Sequence, residues 1–172
     1  ERSGSRVLGI LYNVVQYGTG RRAKEGVHGF PVFGKTGTTN RSLNAAFCGV
    51  IPASRDGEWS FRDGLFVSSY VGFDQPKPMQ KGRYGISGAS GALPIWLHVA
   101  FGAVEAGLLG EKPHSSVWNG FSGFQSVSVS KDNGFPTADG SAQIFSDQDL
   151  SGDVVRYFSP VYIDGVGQED LL

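Results

Sequence analysis

The chain has 172 residues, 40% of them hydrophobic and 12% aromatic, enough apolar material for one domain with a core or for part of a larger one. Lys and Arg number 15 against 16 Asp and Glu, a formal net charge of -1 that gives no sign of a nucleic-acid or other polyanion surface. Cys48 is the one cysteine, which excludes an internal disulfide and a thiolate cluster; His28, His98 and His114 lack ligand spacing, so no metal or cofactor is expected.

Val7, Ile10, Leu11, Val14 and Val15 recur at helical spacing, with Ser5 as the candidate cap and Gly18 as the stop. Gly18-Thr19-Gly20 leads into a basic turn, Arg21-Arg22-Ala23-Lys24, and Gly26, Gly29 and Pro31 break the stretch that follows. Strand character begins near Val32. A second strand, Asn44 to Ile51, is expected to end at Pro52, and a third is predicted where Leu65, Val67, Val71 and Phe73 alternate with their neighbours. Between them Pro52 to Gly64 reads as a polar connection with turn signals at Asp56-Gly57 and Asp63-Gly64. Short links favour an antiparallel meander.

Asp74 to Pro78 stops the third strand, and a Gly/Ser-rich stretch, Gly82 to Gly91, delivers the chain to Pro94 at a helix start. Trp96, Ala100, Ala103, Val104 and Gly107 share one face of that helix, which is expected to run to about Gly110. The apolar stretch from Leu93 to Gly110 is interrupted by His98 and Glu105, so it reads as a buried helix and not a membrane span. Residues 111–172 carry short alternating runs, from Phe124 onward and at Val154 to Phe158, with a tight-turn signal at Asp132-Asn133-Gly134. A hairpin within Phe124 to Gly140 is the expectation there, and Trp118, Phe121 and Phe124 read as packing residues.

The chemistry concentrates in Phe33-Gly34-Lys35-Thr36-Gly37-Thr38-Thr39-Asn40. On a strand, alternation puts Lys35 and Gly37 on one face and Thr36 and Thr38 on the other. Gly37 clears space for a substrate backbone or ring. The Lys35 ammonium offers positive potential to a proton-transfer group or an anion. The Thr36 and Thr38 hydroxyls can bind a carboxylate, and the Thr38 amide can face a developing oxyanion.

From Leu8 to roughly Leu109 the chain resembles the transpeptidase domain of bifunctional, class A penicillin-binding proteins. Five blocks carry the resemblance in order: Val14 to Gly20, Gly34 to Asn40, Asn44 to Gly49, Tyr70 to Asp74, and Gly88 to Trp96. It implies an α+β fold, an antiparallel sheet with flanking helices that forms the C-terminal half of a penicillin-binding/β-lactamase-like domain. Residues 1–110 would be that part and 111–172 a C-terminal extension. The resemblance further implies a peptidoglycan D,D-transpeptidase acting on D-alanyl-D-alanine stem peptides through a serine acyl-enzyme that β-lactams trap. In that reading Lys35 and Thr38 are catalytic, and Thr36, Gly37, Thr38 and Thr39 bind substrate.

The nucleophile is the departure. Neither Ser-x-x-Lys nor Ser-x-Asn precedes Lys35; Ser128-Val129-Ser130-Lys131 and Ser42-Leu43-Asn44 fit those patterns in the wrong places and read as chance. The chain begins with Glu1, so the serine is expected before it, in a missing N-terminal part of the same domain. Whether the isolated chain is an enzyme stays open, and inactivity alone is the expectation. The parent is expected at the extracytoplasmic face of the cytoplasmic membrane, the periplasm in a Gram-negative, held by an anchor outside this chain. One alternative is a non-catalytic binding or structural module of the same fold. Another is a nucleotide site, because Gly29 to Thr36 spells G-x-x-x-x-G-K-[ST]; Pro31 and the poor helix start after Lys35 argue against it.

Overall fold

Residues 33–72 build the antiparallel sheet that the hydrophobic alternation predicts. The computed structural model describes residues 2–117, 125–130, 137 and 142–146. In it β1 (Phe33–Thr38), β2 (Asn44–Arg55) and β3 (Glu58–Gly72) lie side by side in chain order, each antiparallel to the next. Cross-strand partners share a face. One face therefore carries Thr36, Phe47 and Ser69, and the other carries Lys35, Cys48 and Ser68.

The Thr36 face is the core. Phe47 is fully buried and Ser69 and Thr36 nearly so, whereas Lys35, Cys48, Phe66 and Tyr70 on the opposite face are exposed. Helices α1 (Arg2–Tyr17) and α2 (Leu93–Glu105) contribute Val15, Leu93, Trp96 and Ala100 to the same core as Phe47 and Ile51. Trp96 sets its ring edge-on to Phe47 at 5.2 Å, and its Nε1–H donates to Val67 O at 3.0 Å, so the largest core side chain leaves no polar atom unpaired. Ser69 Oγ donates to Ala92 O at 2.8 Å, fastening the entry of α2 to β3.

Several boundaries differ from expectation. Helix α1 begins at Arg2, so Ser5 lies inside it and not at its cap. Its apolar stripe is only half used: Val15 is buried, but Val7 and Ile10 are 53% and 62% exposed. Strand β2 runs straight through Pro52 to Arg55, because the register shifts between Ile51 and Ala53 and Pro52, which has no N–H, falls in that irregularity. The connection expected over residues 52–64 is thus mostly strand. Asp56 and Gly57, at φ 54° and 79°, make the two-residue hairpin turn, and Asp63-Gly64 marks a bulge within β3. Helix α2 stops at Glu105, short of Gly110. Gly107 turns left-handed at φ 72°, its N–H reaches Val104 O and the Leu108 N–H reaches Ala103 O, a paired closure on two carbonyls of the last turn.

The chain divides into two compact units, residues 1–122 and 123–172. Residues 111–117 stay with the first: Val117 is buried, and Trp59 Nε1–H donates to Ser115 O at 2.8 Å. In the second unit β6 (Gln125–Val129) and β7 (Ala142–Ser146) pair antiparallel, a hairpin wider than the expected span to Gly140. Two short strands complete the first unit, β4 (Gln80–Lys81) and β5 (Tyr84–Gly85). The turn signal at 132–134, the run at 154–158 and the aromatics at 118, 121 and 124 lie outside the described residues.

Candidate functional site

Strand β1 is an edge strand among the described residues, with β2 on one side only. Which of its backbone groups face β2 follows from one close approach. Gly37 pairs with Ala46, and the carbonyl oxygens of both lie within 2.7 Å of the point where a Gly88 Cβ would sit. Two opposed carbonyls converge that closely only in a hydrogen-bonded pair, so the polar groups of Gly37 turn toward β2. Those of Thr36 and Thr38 then turn to the open edge. The Lys35 ammonium agrees with this, for Nζ donates to Thr36 O at 2.7 Å.

The alternation inferred for the motif holds in space. Lys35 is exposed on the open face, in a cross-sheet row with Cys48 and Ser68, whose Sγ and Oγ are 3.1 Å apart. Thr36 points into the core side and is 8% exposed; its Oγ1 lies 2.6 Å from Thr19 Oγ1 in the turn that ends α1. Thr38 Oγ1 accepts a 3.0 Å bond from the Gly88 amide, at the start of the wide helical turn Gly88–Ala92 that leads into α2. Thr39 stands apart from this cluster. Its Oγ1 accepts from Asn44 N at 2.8 Å and closes the β1–β2 turn, where Arg41 and Ser42 both adopt left-handed backbone. Thus Lys35, Thr36, Gly37 and Thr38 form one strip at an open sheet edge, and Thr39 belongs to the turn beyond it.

Two members of the cluster were not singled out from the sequence for this place. Thr19 and Gly88 fall within two of the blocks that carry the resemblance, but as parts of a helix stop and of a Gly/Ser-rich link, with no role at the site. A threonine held between two glycines was the available signal for the first. For Gly88 no local signal exists, because the need for glycine comes from Ala46 and Gly37, far away in the chain.

The rival motifs separate on geometry. Phe33 to Thr36 are strand, and His28 and Gly29 form a tight two-residue turn bridging Val27 and Phe30, so Gly29 to Thr36 makes neither the loop nor the helix start of a phosphate cradle. Ser128 and Val129 lie in β6 and not at the start of a helix, while Lys131 is outside the described residues. Ser42 sits in the β1–β2 turn, where its carbonyl accepts from Met79 N, and Asn44 Oδ1 accepts from the Tyr70 hydroxyl. Beneath the start of β1, the Tyr12 ring meets Phe33 at 5.4 Å; burial, and then the nearby Tyr17, holds the Tyr12 phenol above its ordinary value of 10.0.

Comparison with curated proteins points to one class, the penicillin-binding proteins. The chain is 34% identical over 96 residues to penicillin-binding protein 1A of Pseudomonas aeruginosa, covering 56% of this chain and 10% of that protein. It is 33% identical over 98 residues to penicillin-binding protein 1A of Neisseria cinerea, covering 57% and 10%. With the Neisseria meningitidis serogroup B protein of the same name the identity is 36% over 88 residues, covering 51% and 9%. The chain spans about a tenth of the length of the curated relatives it matches. No family model matches it. The α+β layout of three antiparallel strands and two helices is compatible with a fragment of such a protein.

Proposed function

We propose that residues 1–110 are the C-terminal part of the transpeptidase domain of a bifunctional penicillin-binding protein, with 111–172 as a C-terminal extension. The chain then supplies one wall of a serine acyl-transfer site. The single observation that carries this reading is the placement of Lys35-Thr36-Gly37-Thr38 on an edge strand, with the backbone groups of Thr36 and Thr38 turned away from β2. Such an edge can pair with an extended peptide by main-chain bonds.

In this reading a serine outside the chain attacks the carbonyl of the penultimate D-alanine. The peptide bond breaks, the terminal D-alanine leaves as the amine with a proton, and an amine of a neighbouring stem peptide takes the acyl group from the serine. Lys35 lends positive potential to the proton transfer. The Thr38 N–H, at the open edge, donates to the oxyanion, and the Thr36 and Thr38 hydroxyls receive the substrate carboxylate. A β-lactam follows the first half of this path and stops there. The parent acts at the extracytoplasmic face of the membrane, anchored outside this chain; among the described residues no helix is long and apolar enough to cross a membrane.

A fluorescent penicillin tests the proposal. It should label the full-length protein at a serine preceding Glu1, with Lys35→Ala slowing labelling by about a hundred-fold or more. The isolated 172-residue chain should take no label. A full-length protein that encodes no upstream Ser-x-x-Lys and stays unlabelled would leave only the binding-module reading.

A further inference from the structure

The two hydroxyls of the docking strand are each fixed from outside it, by elements remote in sequence. Thr36 Oγ1 meets Thr19 Oγ1, from the end of α1, at 2.6 Å. Thr38 Oγ1 meets the Gly88 amide, from the entry to α2, at 3.0 Å. An amide N–H only donates. It therefore occupies a lone pair of Thr38 Oγ1 and leaves the hydroxyl proton for a different group, and no acceptor takes that proton among the described residues. The Thr19–Thr36 pair keeps one proton between its oxygens and has the second to give. The cluster as built presents O–H donors to an acceptor, and such bonds are strongest when that acceptor is ionised, as a carboxylate is. The turn bearing Thr19 continues into exposed Arg21 and Arg22, which adds to the preference for an anion.

We propose that Thr19 and Gly88 are positioning residues for carboxylate recognition, acting through Thr36 and Thr38; this rests on the acyl-transfer reading above. Gly88 does so because it has no side chain. A Cβ there would lie 2.5 Å from Ala46 O, 2.7 Å from Gly37 O and 2.9 Å from Thr36 Cβ, so only glycine brings its amide down to Thr38. Thr19 does so by its hydroxyl alone, and is the residue to test.

The experiment uses the full-length protein and two acyl donors, a penicillin with its free carboxylate and the methyl ester of the same penicillin. Thr19→Val removes the hydroxyl at nearly constant volume. The acylation rate constant with the free acid should fall about ten-fold, because Thr36 Oγ1 loses the partner that aims its proton at the carboxylate, while that with the ester stays at the wild-type value. Thr19→Ser should restore the free-acid rate. An equal loss with both donors would reduce Thr19 to a structural role, and no loss with either would remove it altogether; both overturn the proposal. If Thr19→Val does not fold by circular dichroism, Thr19→Ala is read against the same two donors. A wild-type protein that neither donor acylates overturns the acyl-transfer reading itself, and this role with it.

Discussion

At Thr36 a strand position and a helix turn meet through two hydroxyls 2.6 Å apart. The threonine was readable from the motif as a ligand-binding hydroxyl, and so was the face it takes, since strand alternation has a fixed period. Its partner was not readable, because Thr19 is brought to it by the packing of α1 against β1 and by nothing local. The same holds for Tyr12, which lies outside the apolar stripe read for the first helix and is set against Phe33 by the packing of α1. Because burial raises the Tyr12 pKa in the folded state, folding favours the neutral phenol. That contribution is complete below the unfolded value near about pH 10 and is lost as pH rises through the higher folded value. Urea midpoints should therefore hold to about pH 9 and decline above about pH 10, and the decline should be shallower in Tyr12→Phe. An identical alkaline profile in the variant would count against the assignment.

Among the elements, those with clear periodicity were legible: β1, the first half of β2, the second half of β3, and α2 with its buried Trp96, Ala100 and Ala103. Where reading failed, a breaker had been given more weight than the ladder. Pro52 lacks an N–H but occupies a register shift where none is needed, so the strand continues past it. Asp63-Gly64 falls not in a turn but in a bulge inside a longer strand. Gly107 and not Gly110 ends α2, since either glycine can turn left-handed and only the closure onto Ala103 and Val104 decides between them. Of these elements α2 has most at stake in one side chain. Trp96→Ala would empty a fully buried site and remove the indole bond to Val67 O, at a cost of about 3–5 kcal/mol in urea unfolding. A loss under about 1 kcal/mol would mean that α2 is not docked on Phe47 as described.

At the scale of the whole molecule one face of the sheet is packed along its length, and the other, among the described residues, is covered only near Phe33 and Val50. Both outer edges, β1 and the 15-residue β3, lack a strand partner among the described residues, and Phe66 and Tyr70 stand 70% and 63% exposed on the open face. Unpaired edges beside exposed aromatics favour association. Sedimentation velocity of the isolated chain should show mass rising with concentration, and Phe66→Lys should return it toward monomer. A chain that stays monomeric at every concentration would contradict this. The sequence offered the exposed edge only by way of the resemblance, because a strand's own pattern says which face is buried and not which edge is covered.

The bulge in β3 has a consequence for how the protein tolerates change. The ladder pairs Ile51 with Leu65 and then Ala53 with Ser60, so residues 61–64 are surplus to the pairing. One of them, Phe61, reaches across to set its ring edge-on against Phe33 at 5.0 Å, at the start of the strand that bears Lys35. Gly64 closes the excursion where a Cβ would lie 2.7 Å from Ile51 O. Beyond Ser60 the hairpin is held by Trp59, whose ring lies edge-on to Phe30 at 5.6 Å and whose Nε1–H donates to Ser115 O, so only the Asp56-Gly57 tip is without such an anchor among the described residues. A deletion inside 61–64 is different in kind from a change at that tip: it leaves the register from Leu65 onward intact and unlatches Phe33, loosening the site from a place that touches none of its chemistry.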